Sequence, residues 1–179
     1  QNLGLLSSFP RRRLFQAANL SEVESVNPLY VRLGVWKSPQ TKLDESILVI
    51  GFNPEKPAFN LPAVNQKLEQ IKYPNTLLFD RNSNGKYAQA IAQIYEGKSI
   101  TTELQGRKVK IGGLYEVGAS FMANGSVITS DQNYLRIFSG QQPGQVNLGL
   151  INLKLGSDAN LVAKALQSYL NDDVQVFTS

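Results

Sequence analysis

Catalytic chemistry needs particular side chains at particular spacings, and the first observation on this 179-residue sequence is which of them are missing. It contains no histidine and no cysteine. No imidazole is present to move protons near neutrality and no thiolate to attack a carbonyl. Ser-His-Asp and Cys-His arrangements are excluded, as are zinc sites built on histidine or cysteine. What remains is chemistry by carboxylates, hydroxyls and lysines. Three carboxylate neighbours stand out: Glu22 with Glu24, Asp44 with Glu45, and Asp172 with Asp173. A glycosidase-type pair must face a cleft from two elements, roughly 5 to 9.5 Å apart, and sequence adjacency does not supply that geometry. Each pair falls at an element end, where acidic side chains read as solvated. Ser120 and Ser130 have no histidine base; a Ser-Lys dyad stays formally open, without a nucleophile-elbow pattern around either serine. Residues 106–113 (GRKVKIGG) and Asn84-Gly85-Lys86 lack the glycine, lysine and hydroxyl spacing of a phosphate-binding loop. No residue pattern here specifies a catalytic site, a metal or a cofactor.

Composition agrees with a folded domain. At 42% apolar and 18% charged, the chain has enough apolar material for a real core and too little charge for disorder. Its net charge of +4 comes from 18 Lys and Arg spread between Arg11 and Lys164, with one dense cluster at Arg11-Arg12-Arg13. Nucleic-acid binders concentrate such charge on one face and add stacking aromatics or a known module, and none is legible here. No stretch approaches the ~18 consecutive apolar residues of a bilayer span. The chain begins at Gln1 and its single methionine is Met122, so it is expected to be an excised domain or a mature segment.

The elements that must position any site follow from periodicity. Phe9-Pro10 leads into a helix expected to reach Glu22, with Leu14, Phe15 and Ala18 on one side and three arginines in its first turn. Cations there oppose the helix dipole. Two readings are open, a solvated face or a contact with phosphates or a partner's carboxylates. After Asn27-Pro28, Leu29, Val31, Leu33 and Val35 alternate with Tyr30, Arg32, Gly34 and Trp36, a period-two strand with one aliphatic face and one mixed face. Residues 47–52 form a continuous apolar run, a strand buried on both faces. Residues 53–62 contain three prolines and mark a boundary.

Beyond that boundary the expected order is a helix with Val64, Leu68 and Ile71, a strand at 76–79, a helix carrying Tyr87, Ala90, Ile91 and Ile94 that stops at Gly97, and strands at 99–104 and 109–117. An arm at Phe121-Met122-Ala123, the dipeptide Asn124-Gly125 and a returning strand at 126–128 read as a hairpin, since both turn positions tolerate positive φ. Asn124-Gly125-Ser126 and Asn19-Leu20-Ser21 are formal glycosylation sequons, the first better explained by its turn. Thr129-Ser130-Asp131 offers N-cap oxygens to a helix with Tyr134, Leu135 and Phe138. A strand at 146–155, a helix with Leu161, Val162, Ala165, Leu166 and Tyr169, and a last strand at 174–177 complete the chain. The two ends resemble each other in texture and the middle differs. The expected organisation is an α+β chain of two lobes, with residues 1–54 and 142–179 in one and 55–141 inserted.

Specific blocks carry a family resemblance: Asn27-Pro28-Leu29-Tyr30; Gly51-Phe52-Asn53-Pro54; residues 57–65 (PAFNLPAVN); Leu77-Leu78-Phe79-Asp80-Arg81; Gly118-Ala119-Ser120-Phe121; and Ile128-Thr129-Ser130-Asp131-Gln132-Asn133. In this order they resemble the extracytoplasmic domain of DevC-like permeases, cyanobacterial relatives of MacB-type ABC exporter subunits of the MacB/FtsX-type family. Asn124, where an acidic residue is expected, and residues 82–86 depart from the pattern. The resemblance implies a porter-like α/β lobe built from both chain ends with a smaller mixed α/β lobe inserted, held on the periplasmic side between two membrane helices. It implies a permease homodimer, a separate cytoplasmic ATPase, a membrane-fusion adaptor docked by the periplasmic domains, an outer-membrane channel beyond it, and family transport that includes heterocyst glycolipids. Arg11, Arg12 and Arg13 then become a membrane-proximal basic cluster. The family supplies no catalytic or ligand motif. Partner-contact candidates rest on the enrichment of aromatics and Met at interfaces: Tyr30, Trp36, Phe59, Phe121 and Met122. The alternative of a different class is a periplasmic small-molecule or lipid-binding module with a cleft between the lobes.

Overall fold

The computed structural model describes residues 8–56, 67–116 and 124–178. Its organising element is a strand of 15 residues, β2 (Val23–Lys37), roughly 50 Å of extended backbone. It follows a two-residue strand, β1 (Phe9–Pro10), and a short helix, α1 (Arg12–Ala17). The expected helix therefore starts later and ends earlier. Phe9 and Pro10 instead pair with β8 (Gln145–Val146), and the Arg11 N–H donates to the Gly144 carbonyl at 2.9 Å.

Beyond β2 come β3 (Asp44–Phe52), α2 (Leu68–Ile71), β4 (Thr76–Asp80), α3 (Ala88–Tyr95), β5 (Ile100–Leu104), β6 (Arg107–Tyr115), β7 (Ser126–Ser130) and α4 (Asp131–Ile137). After β8, β9 (Leu148–Leu153) and α5 (Ala159–Tyr169) follow. Seven strands make one sheet in the order β3-β7-β4-β6-β5-β2-β9, and β2 also pairs with β3. That extra pairing joins β2, β3, β7, β4, β6 and β5 into a ring, closed on the β5 side by one bridge, Trp36 opposite Leu104.

The division expected at residues 54/55 and 141/142 is crossed by this ring. Strand β3, assigned by sequence to the terminal lobe, runs parallel to β7 from Leu48↔Ser126 to Phe52↔Ser130. A strand apolar on both faces must be covered on both, and the terminal elements offer too little sheet to do it. The two halves of β2 have different partners: Val23 to Leu29 face β9, and Tyr30 to Lys37 face β3.

Alternation separates two cores. Tyr30, Trp36, Ile47, Val49, Leu77, Phe79 and Val127 join α3 and α4 in one cluster. Val31, Leu48, Ile50, Leu78 and Ile128 join α2 in the other. A third cluster, Ala17, Val162, Leu166, Leu170 and Val174, fastens α1 to α5 and the tail. Over the last residues of β2 the Trp36 side is the buried one: Trp36 is 1% exposed, whereas Leu33 is 42% and Val35 50% exposed. Aromatic bulk is needed inside the ring, and the aliphatic side has no covering element near the strand's end.

One buried side chain ties the ring's helices together. Asn133, at the start of α4, donates from Nδ2 to the carbonyls of Ile71 and Tyr73, both at 2.9 Å, while its Oδ1 accepts from the Asn75 N–H at 3.0 Å. Ser130 caps the same helix, its Oγ accepting from the Asn133 N–H at 3.1 Å. The Thr129 hydroxyl donates to the Thr76 carbonyl at 2.9 Å. The expected cap is present, and it also fixes the turn at Tyr73-Pro74-Asn75, where Asn75 takes a φ of 54°.

Two glycines serve close approach. A Cβ on Gly51 would stand 2.5 Å from Cβ of Tyr134, so α4 lies directly on β3. Gly125, expected to supply positive φ to a hairpin, is not among the positive-φ residues; a Cβ there would meet the Tyr87 ring at 2.4 Å. Both edges of β7 are already paired, with β3 and β4. The arm at 121–123 and the helix start at 61–66 lie outside the described residues. The expected strand at 174–177 is absent: Gln167 answers this backbone instead, donating to the Val174 carbonyl at 3.2 Å and accepting from the Val176 N–H at 2.9 Å.

Asn133→Ala strands the Asn75 N–H and the Ile71 carbonyl, the Tyr73 carbonyl keeping the Thr76 N–H, and should cost about 2–4 kcal/mol in denaturant unfolding. Gly51→Ala should cost about 1–3 kcal/mol by overpacking against Tyr134. Unchanged midpoints would show that the network and the contact are dispensable.

Candidate functional site

Among the described residues no group of three or more Asp and Glu side chains is placed to hold a metal ion. Burial pushes Tyr115 and Tyr134 upward, keeping both neutral phenols, with Tyr115 sharing a 2.7 Å hydrogen bond with Ser126. Asp80 is raised by burial as well, against a 3.0 Å bond from the Asn82 N–H. Ser130 spends its hydroxyl on the α4 cap, and among the described residues no hydrogen bond joins a serine to a lysine. Glu45 pairs with Lys86 at 2.8 Å and so is not a solvated carboxylate.

The partner-contact candidates divide. Tyr30 is 4% exposed, its hydroxyl donating to the Pro143 carbonyl at 2.6 Å and its ring stacked on Tyr134 at 5.2 Å. Trp36 stands edge-on to Phe79 at 5.4 Å, at the bridge that closes the ring. Both are core, unavailable to a partner in this conformation. Phe59, Phe121 and Met122 lie outside the described residues. Sequence reading missed the exposed apolar residues of the β2–β3 end: Leu33, Val35 and, in the connecting turn, Leu43 at 63%. The signal was present in part, since Leu33 and Val35 belong to the aliphatic set of the alternating strand, whose Leu29 and Val31 are buried. Sequence could not tell which set faced outward. Val35 is also held rigidly, its N–H donating to Oε1 of Gln105 and its carbonyl accepting from the Gln105 N–H at 2.9 Å.

The arginine cluster is not one surface. Arg12 is exposed, and Arg11 lies over the Phe15 ring at 5.6 Å. Arg13 is buried at 7% exposure and grips Asp173: Nε donates to Oδ1 at 3.0 Å and Nη2 to Oδ2 at 3.0 Å. Neither a solvated face nor an outside carboxylate describes Arg13; its partner is 160 residues along the same chain. The fork satisfies a guanidinium that α1 carries into the interior. Its bond holds the Asp173 carboxyl below the usual aspartate value of 3.8. Beside it lies a groove of about 870 Å³ lined by Phe9, Leu14, β9, α5 and the tail at 172–178. On α5 and the tail, Leu161, Tyr169 and Phe177 are exposed at 64%, 53% and 71%, so the expected apolar stripe of α5 is only half covered.

The described residues thus form a mixed α/β domain with a closed strand ring, packed aromatics inside it and exposed apolar residues at its ends. Comparison with solved structures gives its fold a specific likeness. It is similar to the periplasmic region of MacB from Actinobacillus actinomycetemcomitans, with a TM-score of 0.56 at 12% identity over 89% of this chain and 72% of that one. It is similar also to the extracellular domain of YknZ, a noncanonic ABC-type transporter from Gram-positive bacteria, with a TM-score of 0.55 at 12% identity over 96% of this chain and 90% of that one. The chain has the fold of these extracytoplasmic domains. No protein-family profile and no curated protein matches the sequence.

Trp36→Ala should cost about 3–5 kcal/mol of stability, read in denaturant, as a core truncation does and a surface contact does not. A cost below about 0.5 kcal/mol would return Trp36 to the surface. Because its native value is depressed, the Arg13–Asp173 contribution is full above pH 3.8 and is lost as the pH falls through the native value. Carboxyl NMR should place the Asp173 midpoint below 3.8, returning toward it in Arg13→Ala; equal midpoints in the two proteins would deny the pairing.

Proposed function

We propose that this domain is the extracytoplasmic part of an ABC exporter permease of the DevC-like type, on the periplasmic side of the cell membrane. The observation that carries it is the shared fold: the match to the extracellular domain of an ABC-type transporter spans 96% of the chain and leaves no large part unexplained. The absence of histidine and cysteine supports a non-catalytic role, with ATP hydrolysis on a separate cytoplasmic subunit. The domain docks a membrane-fusion adaptor that leads to an outer-membrane channel, and passes on conformational change from the permease homodimer; the family's transport of heterocyst glycolipids suggests a lipid cargo. The terminal layer and the ring meet along β2, whose first half belongs with β9, α1 and α5 and whose second half belongs to the ring. Coupling requires that a partner bind two arrangements with different affinity, and a stiff strand shared by both lobes suits that task.

The adaptor contact is assigned to Leu33, Val35 and Leu43, exposed apolar residues at the end of the ring far along β2 from the chain's ends. Leu33→Asp with Val35→Asp should abolish co-purification with the adaptor encoded beside the permease while leaving thermal unfolding within a few degrees; retained binding with an intact fold would reject the assignment. In the parent reading frame, hydrophobic helices of ~20 residues should directly precede residue 1 and follow residue 179. Their absence would sink the exporter reading. The second reading, a module that binds a small molecule or lipid, would take the groove along β9 in place of a cleft between the lobes, since that groove is lined by the terminal segments alone. Calorimetry with a short-chain lipid would support it by saturable binding and reject it by none.

A further inference from the structure

Helix α1 and the tail of the described chain are joined by a forked ion pair with one buried partner. Arg13 on α1 forks onto Asp173 while its Nη1 donates to Oε1 of Gln16 at 3.1 Å, so the guanidinium is oriented from both sides. Asp173 keeps a 39% exposed carboxylate, and Arg13 contributes a side chain only 9% exposed. Around them the tail is held by side chains in place of a strand: Leu170 and Val174 enter the cluster of Ala17, Val162 and Leu166, and Gln167 clamps the backbone on either side of Gln175. The tail borders an open groove and has no strand ladder to hold it, so a few polar contacts decide its position. From α1 the chain enters β2, which reaches the far end of the ring.

We propose that Arg13–Asp173 is a latch that joins the leading helix to the trailing segment, so that both ends of the domain move as one body and pass that movement into β2. Closed, it holds residues 170–178 across α1 and α5. Open, the tail moves separately from α1, and displacement of one end no longer reaches the other. The groove beside β9 gives the released tail room. The latch itself is a property of the isolated domain; its use in transport rests on the exporter reading.

The test has two parts. In the domain, hydrogen exchange at the Val174 and Val176 amides should accelerate about tenfold or more in Arg13→Ala and in Asp173→Asn, with β3 and β7 unchanged, since a charged hydrogen bond of this kind is lost. The charge swap Arg13→Asp with Asp173→Arg should restore most of the protection. Unchanged tail exchange in both single variants, or acceleration spread evenly over the ring strands, would overturn the latch. In the whole permease, each single variant should lower transport while adaptor binding and ATP hydrolysis persist, and the swap should recover it. Normal transport from a permease whose isolated domain has a released tail would overturn the coupling role. Failure of the exporter reading is seen separately, in the parent reading frame.

Discussion

Everything in this domain depends on the fact that one strand cannot satisfy its backbone with one partner. β2 is 15 residues long, and its pairing passes from β9 to β3 between Leu29 and Tyr30. A buried N–H or carbonyl without a partner is costly, so a strand of this length must recruit sheet from both regions of the chain. The ring and the terminal layer are thereby joined covalently and by hydrogen bonds along one axis. Trp36, at the far end, closes the ring with a single backbone bridge to Leu104 and fills its inside with an indole. Stiffness and closure come from the same strand.

Around that axis the polar interior is economical. Asn133 answers three backbone groups of the turn that carries α2 into β4, and Ser130 and Thr129 answer two more. These side chains looked like chemistry in a sequence rich in serine and asparagine near residue 130. Their geometry makes them structural: each hydroxyl or amide is engaged with backbone, and no base stands beside them. The phenols that burial keeps neutral are equally committed to packing, through the Tyr30, Tyr134 and Phe138 stack and the Trp36, Phe79 and Tyr87 group.

The ends of the domain are built differently from its middle. The ring is sealed by ladders and two cores, whereas the tail is retained by one buried guanidinium, one glutamine and a small apolar cluster. Regions held by few contacts are those that open first.

Much was legible in the sequence alone. The missing histidine and cysteine excluded whole classes of chemistry, because no fold can supply a side chain that is absent. Periodicity located β2, β3, α3, the Ser130 cap and α5, because local apolar spacing and cap oxygens act within a few residues. Blocks such as those at 51–54 and 128–133 pointed to the MacB-type fold that the comparisons bear out. Tertiary structure decided the rest. Which face of β2 turns inward is settled by what covers it, so Trp36 and Tyr30 became core while Leu33 and Val35 came out. Gly125 is small because the Tyr87 ring presses on it, a fact held by a residue 38 positions away. The β-prone tail at 174–177 found no free ladder and took Gln167 instead. The three arginines, alike in sequence, separated into an exposed one, one stacked on an aromatic ring and one buried latch residue. Local chemistry sets what a segment can do, and only the fold brings residue 13 to residue 173.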